Sequence, residues 1–176
     1  MLYSILNIKI SGKTIKIKPS FILKSINVTF NKSRISWKKD NFVFFILGKN
    51  KNFFNVTGLK NFKQISTAIK SYKSSFINSI KPKLKKLKID SITFKAKISP
   101  IFYKNLKKSS KLSNILKKIQ YTTKFYNKFS GISIKHTSGH CITFFKNGTI
   151  LGFGLKSENQ IKQILSFLKN ISQNEQ

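Results

Sequence analysis

The sequence predicts an α+β fold built from two direct repeats, and three observations carry that prediction. The first is a hairpin followed by a helix near the C-terminus. Two apolar runs flank Lys146-Asn147-Gly148, and Asn-Gly between strand-like runs is the strongest short-range hairpin signal. Beyond Gly154-Leu155-Lys156 the apolar spacing changes from two to helical, with Ile161, Ile164, Leu165 and Leu168 on one face. The second is an earlier passage of the same kind, with strand-like runs Phe42 to Leu47 and Phe53 to Thr57 ahead of a helical period. The third is that the two passages match at one constant spacing. Gly58-Leu59-Lys60 falls on Gly154-Leu155-Lys156, Gln64-Ile65 on Gln160-Ile161, Ile69 on Leu165, and Asn31-Lys32 on Asn127-Lys128. Lys, Asn and Ile are so common here that the identities alone say little. Their recurrence at equivalent points of one element order says more. The expected repeats are residues 1–84 and 85–176.

Taken in order, Tyr3 to Ile17 alternates in part (Ile8, Ile10; Ile15, Ile17) and reads as a strand, with a bend or bulge at Gly12. Pro19 opens a short helix over Ser20 to Ser25, its fixed φ suiting a helix start. Asn27 to Trp37 is extended, Asp40-Asn41 is a turn, and Gly48 to Asn52 joins the two apolar strands. From Asn61, a predicted N-cap, the helical period runs through Ile65, Ala68, Ile69, Tyr72, Phe76 and Ile80 until Pro82 ends it. A lysine-dense connector, Lys81 to Lys88, leads to a strand over Ile89 to Ile98. Pro100 opens one long helical stretch containing Phe102, Leu106, Leu112, Leu116 and Ile119. Tyr121 to His136 is extended with Gly131 inside it, and Thr137-Ser138-Gly139 turns the chain into His140 to Phe145.

Composition narrows the function. With 40% hydrophobic and 13% aromatic residues, the chain can bury a core and should be globular. Thirty-five basic residues face four acidic ones, a net charge of +31. Self-repulsion of that size disfavours a compact state unless a polyanion is near, so nucleic acid is the expected partner. Arg34 is the only arginine, and Lys, Ile, Asn and Phe dominate, as in an AT-rich genome. The charge therefore speaks to association and not to fold. No apolar run reaches the roughly 20 residues of a membrane span, so no membrane partner is expected. Met1-Leu2-Tyr3-Ser4-Ile5-Leu6 reads as a strand and not as a leader. A single cysteine, Cys141, excludes an intramolecular disulfide.

Catalytic chemistry is poorly supplied. The acids Asp40, Asp90, Glu158 and Glu175 form no pair at a useful spacing, whereas acid–base hydrolysis and two-metal sites need convergent carboxylates. His136-Thr137-Ser138-Gly139-His140-Cys141 offers at most three metal ligands crowded around a turn, without a usual zinc spacing. It reads as a hairpin, with Cys141 a small buried residue. No enzyme activity, metal or cofactor is expected.

The repeat signature resembles that of the TATA-box-binding protein family. Phe145-Lys146-Asn147-Gly148-Thr149-Ile150-Leu151-Gly152-Phe153-Gly154-Leu155-Lys156 is similar to the family's pattern of Phe-x-Ser-Gly-Lys, three hydrophobic residues, and Thr-Gly-Ala-Lys. Val56-Thr57-Gly58-Leu59-Lys60-Asn61 is its first-repeat counterpart. Phe30-Asn31-Lys32-Ser33-Arg34-Ile35 looks like the family's Tyr-Asn-Pro-Lys-Arg-Phe, and Phe129-Ser130-Gly131-Ile132 like its Phe-Pro-Gly-Leu. Ile5-Leu6-Asn7-Ile8 resembles the start of the first strand. The resemblance implies one curved antiparallel sheet, a saddle with helices on its convex face. It also implies a concave face that lies in the DNA minor groove, with phenylalanines wedged between base steps at the ends of the site. Phe129 and Phe145 stand at the wedge positions of the second repeat, and Ile35 and Phe45 at those of the first. An aliphatic wedge is acceptable, since Ile and Leu also open base steps. Asn7 matches a central asparagine of the family, and Ser91 stands where its partner belongs. Thr57 matches a central threonine, Phe153 replaces the second one, and Leu151 keeps a hydrophobic contact position. Lys60 and Lys156 resemble phosphate contacts. Thr93, Thr143 and Lys9 depart from the apolar residues of the family.

The resulting expectation is a DNA-binding transcription initiation factor. It would bind and bend AT-rich promoter DNA and recruit a IIB-like factor and RNA polymerase, at an intracellular site such as a nucleus or a viral transcription site. The rival is the same fold kept as an interaction subunit that attracts nucleic acid by charge alone. The oligomeric state is left open.

Overall fold

A strand buried on one face only needs an apolar residue at every second position, and most of this chain's strands meet that requirement. In a computed structural model of the protein, which describes residues 2–48, 50, 52–108, 110–118, 120–125 and 131–173, two runs of elements follow one another. The first is β1 (Tyr3–Lys13), a 3-10 turn (Pro19–Phe21), β2 (Val28–Phe30), β3 (Arg34–Lys39), β4 (Phe42–Leu47), β5 (Phe53–Leu59) and α1 (Gln64–Lys73). The second is β6 (Lys85–Lys97), α2 (Pro100–Lys108), α3 (Ser110–Lys118), β7 (Tyr121–Phe125), β8 (Gly131–His136), β9 (Cys141–Phe145), β10 (Thr149–Leu155) and α4 (Glu158–Gln173). The fold class is α+β with antiparallel sheet, as the sequence predicts.

The chain forms two compact units, Asn7–Asp90 and Met1–Leu6 together with Ser91–Gln176. Strands β1 and β6 each contribute to both. The strand order in the unit Asn7–Asp90 is β2-β3-β4-β5-β1-β6. In the other unit it is β1-β6-β10-β9-β8-β7.

In the unit Asn7–Asp90 the buried side chains alternate: Ile8 and Ile10 on β1, Ile35 and Trp37 on β3, Phe42, Phe44 and Ile46 on β4, Phe54 and Val56 on β5. Tyr72 of α1 packs on that face. Its ring centroid lies 4.7 Å from Phe54, 5.9 Å from Trp37 and 6.0 Å from Phe44, within the range of favourable aromatic pairing. The Trp37 indole N–H donates to Ser75 Oγ at 3.0 Å, so its one polar atom is satisfied. In the other unit Ile92, Phe94 and Ala96 of β6, Ile150 of β10, Ile142 and Phe144 of β9, and Ile132 and Ile134 of β8 form the buried face. The Phe102 ring of α2 lies 5.5 Å from that of Phe144, and Ile161, Leu165 and Leu168 of α4 complete the core.

Both closing helices start in the same way. Gln64 N–H donates to Asn61 Oδ1 while Gln64 Oε1 accepts from Lys60 N–H at 2.6 Å. Gln160 N–H donates to Ser157 Oγ while Gln160 Oε1 accepts from Lys156 N–H, also at 2.6 Å. This is a capping box shifted by one residue, and it satisfies two donors that a helix start otherwise leaves unpaired.

Three expected elements differ. Helix α1 ends at Lys73, so Phe76 and Ile80 lie beyond it. The backbone there is taken by a tertiary ladder: Leu23 N–H donates to Ser75 O, and Ile77 N–H donates to Phe21 O. The same ladder holds the segment after Pro19 to a single 3-10 turn, in place of a helix to Ser25. The long helix from Pro100 is two helices, the second beginning at Ser110, a residue type favoured at helix starts. Ile119 lies outside the described residues.

Phe44 is fully buried among Trp37, Phe42, Phe54 and Tyr72. Phe44→Ala should therefore cost about 3–5 kcal/mol, read from urea denaturation.

Candidate nucleic-acid interface

The face of each unit opposite the helices carries the alternate strand residues. In the unit Asn7–Asp90 these form cross-strand rows: Lys13–Phe53–Leu47–Arg34, Ser11–Asn55–Phe45–Ser36 and Thr57–Val43–Lys38. In the other unit the rows are Lys97–Thr149, Lys95–Leu151–Thr143–Ser133 and Phe153–Cys141–Lys135.

The two units share one register and one irregularity. Ile8 lies opposite Leu59 and Ile10 opposite Val56, so β5 has one extra residue between the pairs. Ile92 lies opposite Leu155 and Phe94 opposite Gly152, with the same extra residue in β10. Such a bulge needs a left-handed residue, and Gly58 (φ 99°) and Gly154 (φ 79°) supply it. The pairing therefore makes Asn7 the counterpart of Ser91, Thr57 of Phe153, and Asn55 of Leu151.

Asn7 serves the bulge directly. Its Oδ1 accepts from Gly58 N–H at 2.7 Å and from Thr57 Oγ1 at 3.4 Å. A bulged N–H has no ladder partner, and this carboxamide provides one. With its oxygen engaged, what Asn7 retains is its –NH2 group, a donor. Asn7, Thr57 and Ser91 are all half-buried.

Of the residues expected as wedges, Ile35 is not on the open face. Ile35 is fully buried on the helix face and lies opposite Ile46. Its counterpart by register is Ile132, also buried, so Ile35 cannot reach a groove. Phe45 is half-buried on the open face, with the Arg34 guanidinium 6.0 Å from its ring centroid. Its counterpart, however, is Thr143, because Phe45 pairs with Asn55 as Thr143 pairs with Leu151. The counterpart of half-buried Phe145 is Leu47, since Ile46 faces Phe54 as Phe144 faces Ile150. Phe129 lies outside the described residues. Leu151 is half-buried and Phe153 exposed on the open face, while Lys60 and Lys156 are exposed just beyond the two bulges. Thr143 and Ser133 are buried and share a hydrogen bond of 2.8 Å. Sequence reasoning missed Leu47, and also Phe53, half of whose surface is exposed. Counting back from the Gly58 bulge to the Asp40-Asn41 turn would have found both.

The histidine pair forms a network without gathering a third ligand. His136 and His140 stack at 4.5 Å, Ser138 Oγ lies 2.8 Å from His136 Nδ1 and 2.9 Å from His140 Nδ1, and Tyr121 OH lies 2.7 Å from His140 Nε2. Among the described residues no group of three His, Cys, Asp or Glu could hold a metal, and no helix is long and apolar enough to cross a membrane. Burial pushes the Tyr121 hydroxyl up to about 12.

With this geometry in place, comparison with solved structures is informative. Methanococcus jannaschii TBP matches with a TM-score of 0.70 over 98% of this chain and 99% of that one, at 17% sequence identity. The chain has the TBP fold. No protein-family model and no curated protein matches the amino-acid sequence.

Two outcomes follow. A Cβ at Gly58 would sit 2.7 Å from Asn41 O, whereas at Gly139, with a similar φ of 96°, it would meet open space. Gly58→Ala should lose more stability than Gly139→Ala, by about 1 kcal/mol or more, in parallel urea titrations. Burial, and then His136, lower the pKa of His140 from its ordinary 6.5. The folded state thus favours neutral His140, and that stability is whole above pH 6.5 and lost as pH falls towards the lowered value. The melting temperature should drop between about pH 7.5 and about pH 5.5, and drop less in His140→Gln.

Proposed function

We propose that the protein binds AT-rich duplex DNA through the minor groove, bends it, and acts at promoters as an initiation factor that recruits a IIB-like factor and RNA polymerase. The observation that supports this reading most is the open face of each unit. There, half-buried apolar side chains lie beside hydrogen-bond donors on strands whose other face is closed by helices.

The minor groove at A·T pairs offers only acceptors on the base edges. Asn7, its carboxamide oxygen held by Gly58 N–H, presents a donor of the required kind. Ser91 supplies a hydroxyl at the matching position of the other repeat, and Thr57 flanks Asn7. Phe145 and its counterpart Leu47 are the wedge pair, and side chains of both types open base steps. Leu151, Phe153 and Phe45 add apolar contact to the groove walls. Lys60 and Lys156, one per repeat and each fixed by the same helix start, take phosphates. The role is one of binding and not of catalysis, and its site of action is intracellular, at a nucleus or a viral transcription site.

Gel-shift and bend measurements test the reading on AT-rich and GC-rich duplexes. Preferential, bent complexes are expected on the AT-rich duplex. Phe145→Ala and Leu47→Ala should each weaken that complex by about tenfold and reduce the bend, with Phe129→Ala measured beside them. Lys60→Ala and Lys156→Ala should each lower the salt slope of log K by about one. Equal binding to both duplexes, no bend, and no effect of Phe145→Ala would leave a protein of this fold that attracts nucleic acid by charge alone.

A further inference from the structure

We propose that the unit Asn7–Asp90 carries a site for a single nucleotide, in a cleft where β1, β5 and β6 meet. The cleft has a volume of about 550 Å³, within the range of small-ligand sites.

Its floor is polar. Asn55 is 9% exposed and lines the cleft. Directly opposite it on β1 is Ser11, whose Oγ is buried and without a hydrogen-bond partner. Buried polar groups are nearly always paired, and each one left unpaired costs about 1–3 kcal/mol. A carboxamide presents a donor and an acceptor in one plane, the pattern that complements a base edge. The adjacent hydroxyl can donate or accept.

The wall and rim suit the rest of a nucleotide. The Phe53 ring is 50% exposed and offers a stacking surface, with Lys13 Nζ 6.0 Å from its centroid. Lys13, Lys86 and Lys88 are exposed at the rim and supply charge for a phosphate. Lys86 has φ 51°, a left-handed conformation uncommon for a side chain of this kind. The carboxylate in the cleft, Asp90, is engaged by Lys9 at 2.9 Å, so it does not present a bare negative charge.

The other repeat serves as an internal control. Its matching strands line a cleft of about 480 Å³ with Lys95, Ala96 and Lys97. By register Lys95 stands for Ser11 and Leu151 for Asn55, again opposite one another. The fold is thus built equally well with an apolar residue at that point. The polar floor is peculiar to one repeat, as expected of a binding site and not of a folding requirement.

The ligand class is a nucleoside phosphate: base on Phe53, base edge to Asn55 and Ser11, phosphate to the lysines. It can come from solution or from an unpaired nucleotide of a strand. Ser11, Asn55 and Phe53 stand on the open face of their unit, so a bound nucleotide and a duplex would compete for it.

Calorimetric titration of the full chain with AMP, ATP, a short single-stranded oligonucleotide and pyrophosphate tests it. Saturable binding is expected in at least one nucleotide arm, tighter than pyrophosphate. Binding of AMP or ATP identifies a free nucleotide, and binding of the oligonucleotide alone identifies a nucleotide within a strand. Asn55→Leu should weaken that binding by about tenfold or more with the melting temperature kept, since Leu151 fills the matching place in the other repeat. Ser11→Ala provides a second, smaller change in the same direction. Binding no tighter than pyrophosphate, no binding in any nucleotide arm, or nucleotide binding unchanged in both variants would overturn the proposal.

Discussion

Covering one face of a sheet with helices commits the chain to an alternation that decides nearly everything else here. On the covered face Tyr72, Trp37, Phe44 and Phe54 interlock in one unit, and Phe144, Phe102, Ile161 and Leu165 fill the other. Because strand side chains alternate, each buried residue delivers its neighbour to the opposite face. Phe44 in the core means Phe45 in the open, and Ile46 in the core means Leu47 in the open. A one-residue slip would exchange the two sets, so the aromatic core also specifies the register of the open face.

The bulges at Gly58 and Gly154 break this alternation, and they break it alike. Each inserts one residue opposite β1 or β6, and each is followed by a leucine in the core, an exposed lysine and a glutamine that closes on that lysine's N–H. The duplication is therefore structural as well as sequential. It also exposes where the repeats have diverged. Asn7 and Thr57 hold one bulge through a carboxamide, and their counterparts Ser91 and Phe153 are chemically different. Asn55 and Ser11 differ likewise from Leu151 and Lys95.

Charge acts on another level. Four acidic residues cannot pair thirty-five basic ones, so most lysines are left to solvent or to a polyanion. Such a surface raises association rates and affinity for any nucleic acid without choosing a sequence. Selectivity has to come from side chains on the strands. That makes the few polar groups there, among them Asn7, Asn55 and Ser11, more informative than the lysines.

What the sequence determined by itself was local: the strand runs of β4, β5, β9 and β10, the Asp40-Asn41 and Asn147-Gly148 turns, the matching helix starts, and the constant spacing of two copies. Period two, period 3.6 and turn chemistry are properties of neighbouring residues, so they survive without a fold. Tertiary structure alone decided what depends on distant backbone. The end of α1 at Lys73 follows from the ladder between Phe21–Leu23 and Ser75–Ile77. The burial of Ile35 and the equivalence of Leu47, not Phe45, to Phe145 by position follow from the cross-strand register, which loop lengths conceal in the sequence. The cleft at Asn55 is formed by residues from β1, β4, β5 and β6. No spacing along the chain records it, because a cavity belongs to the packing of strands and not to any one of them.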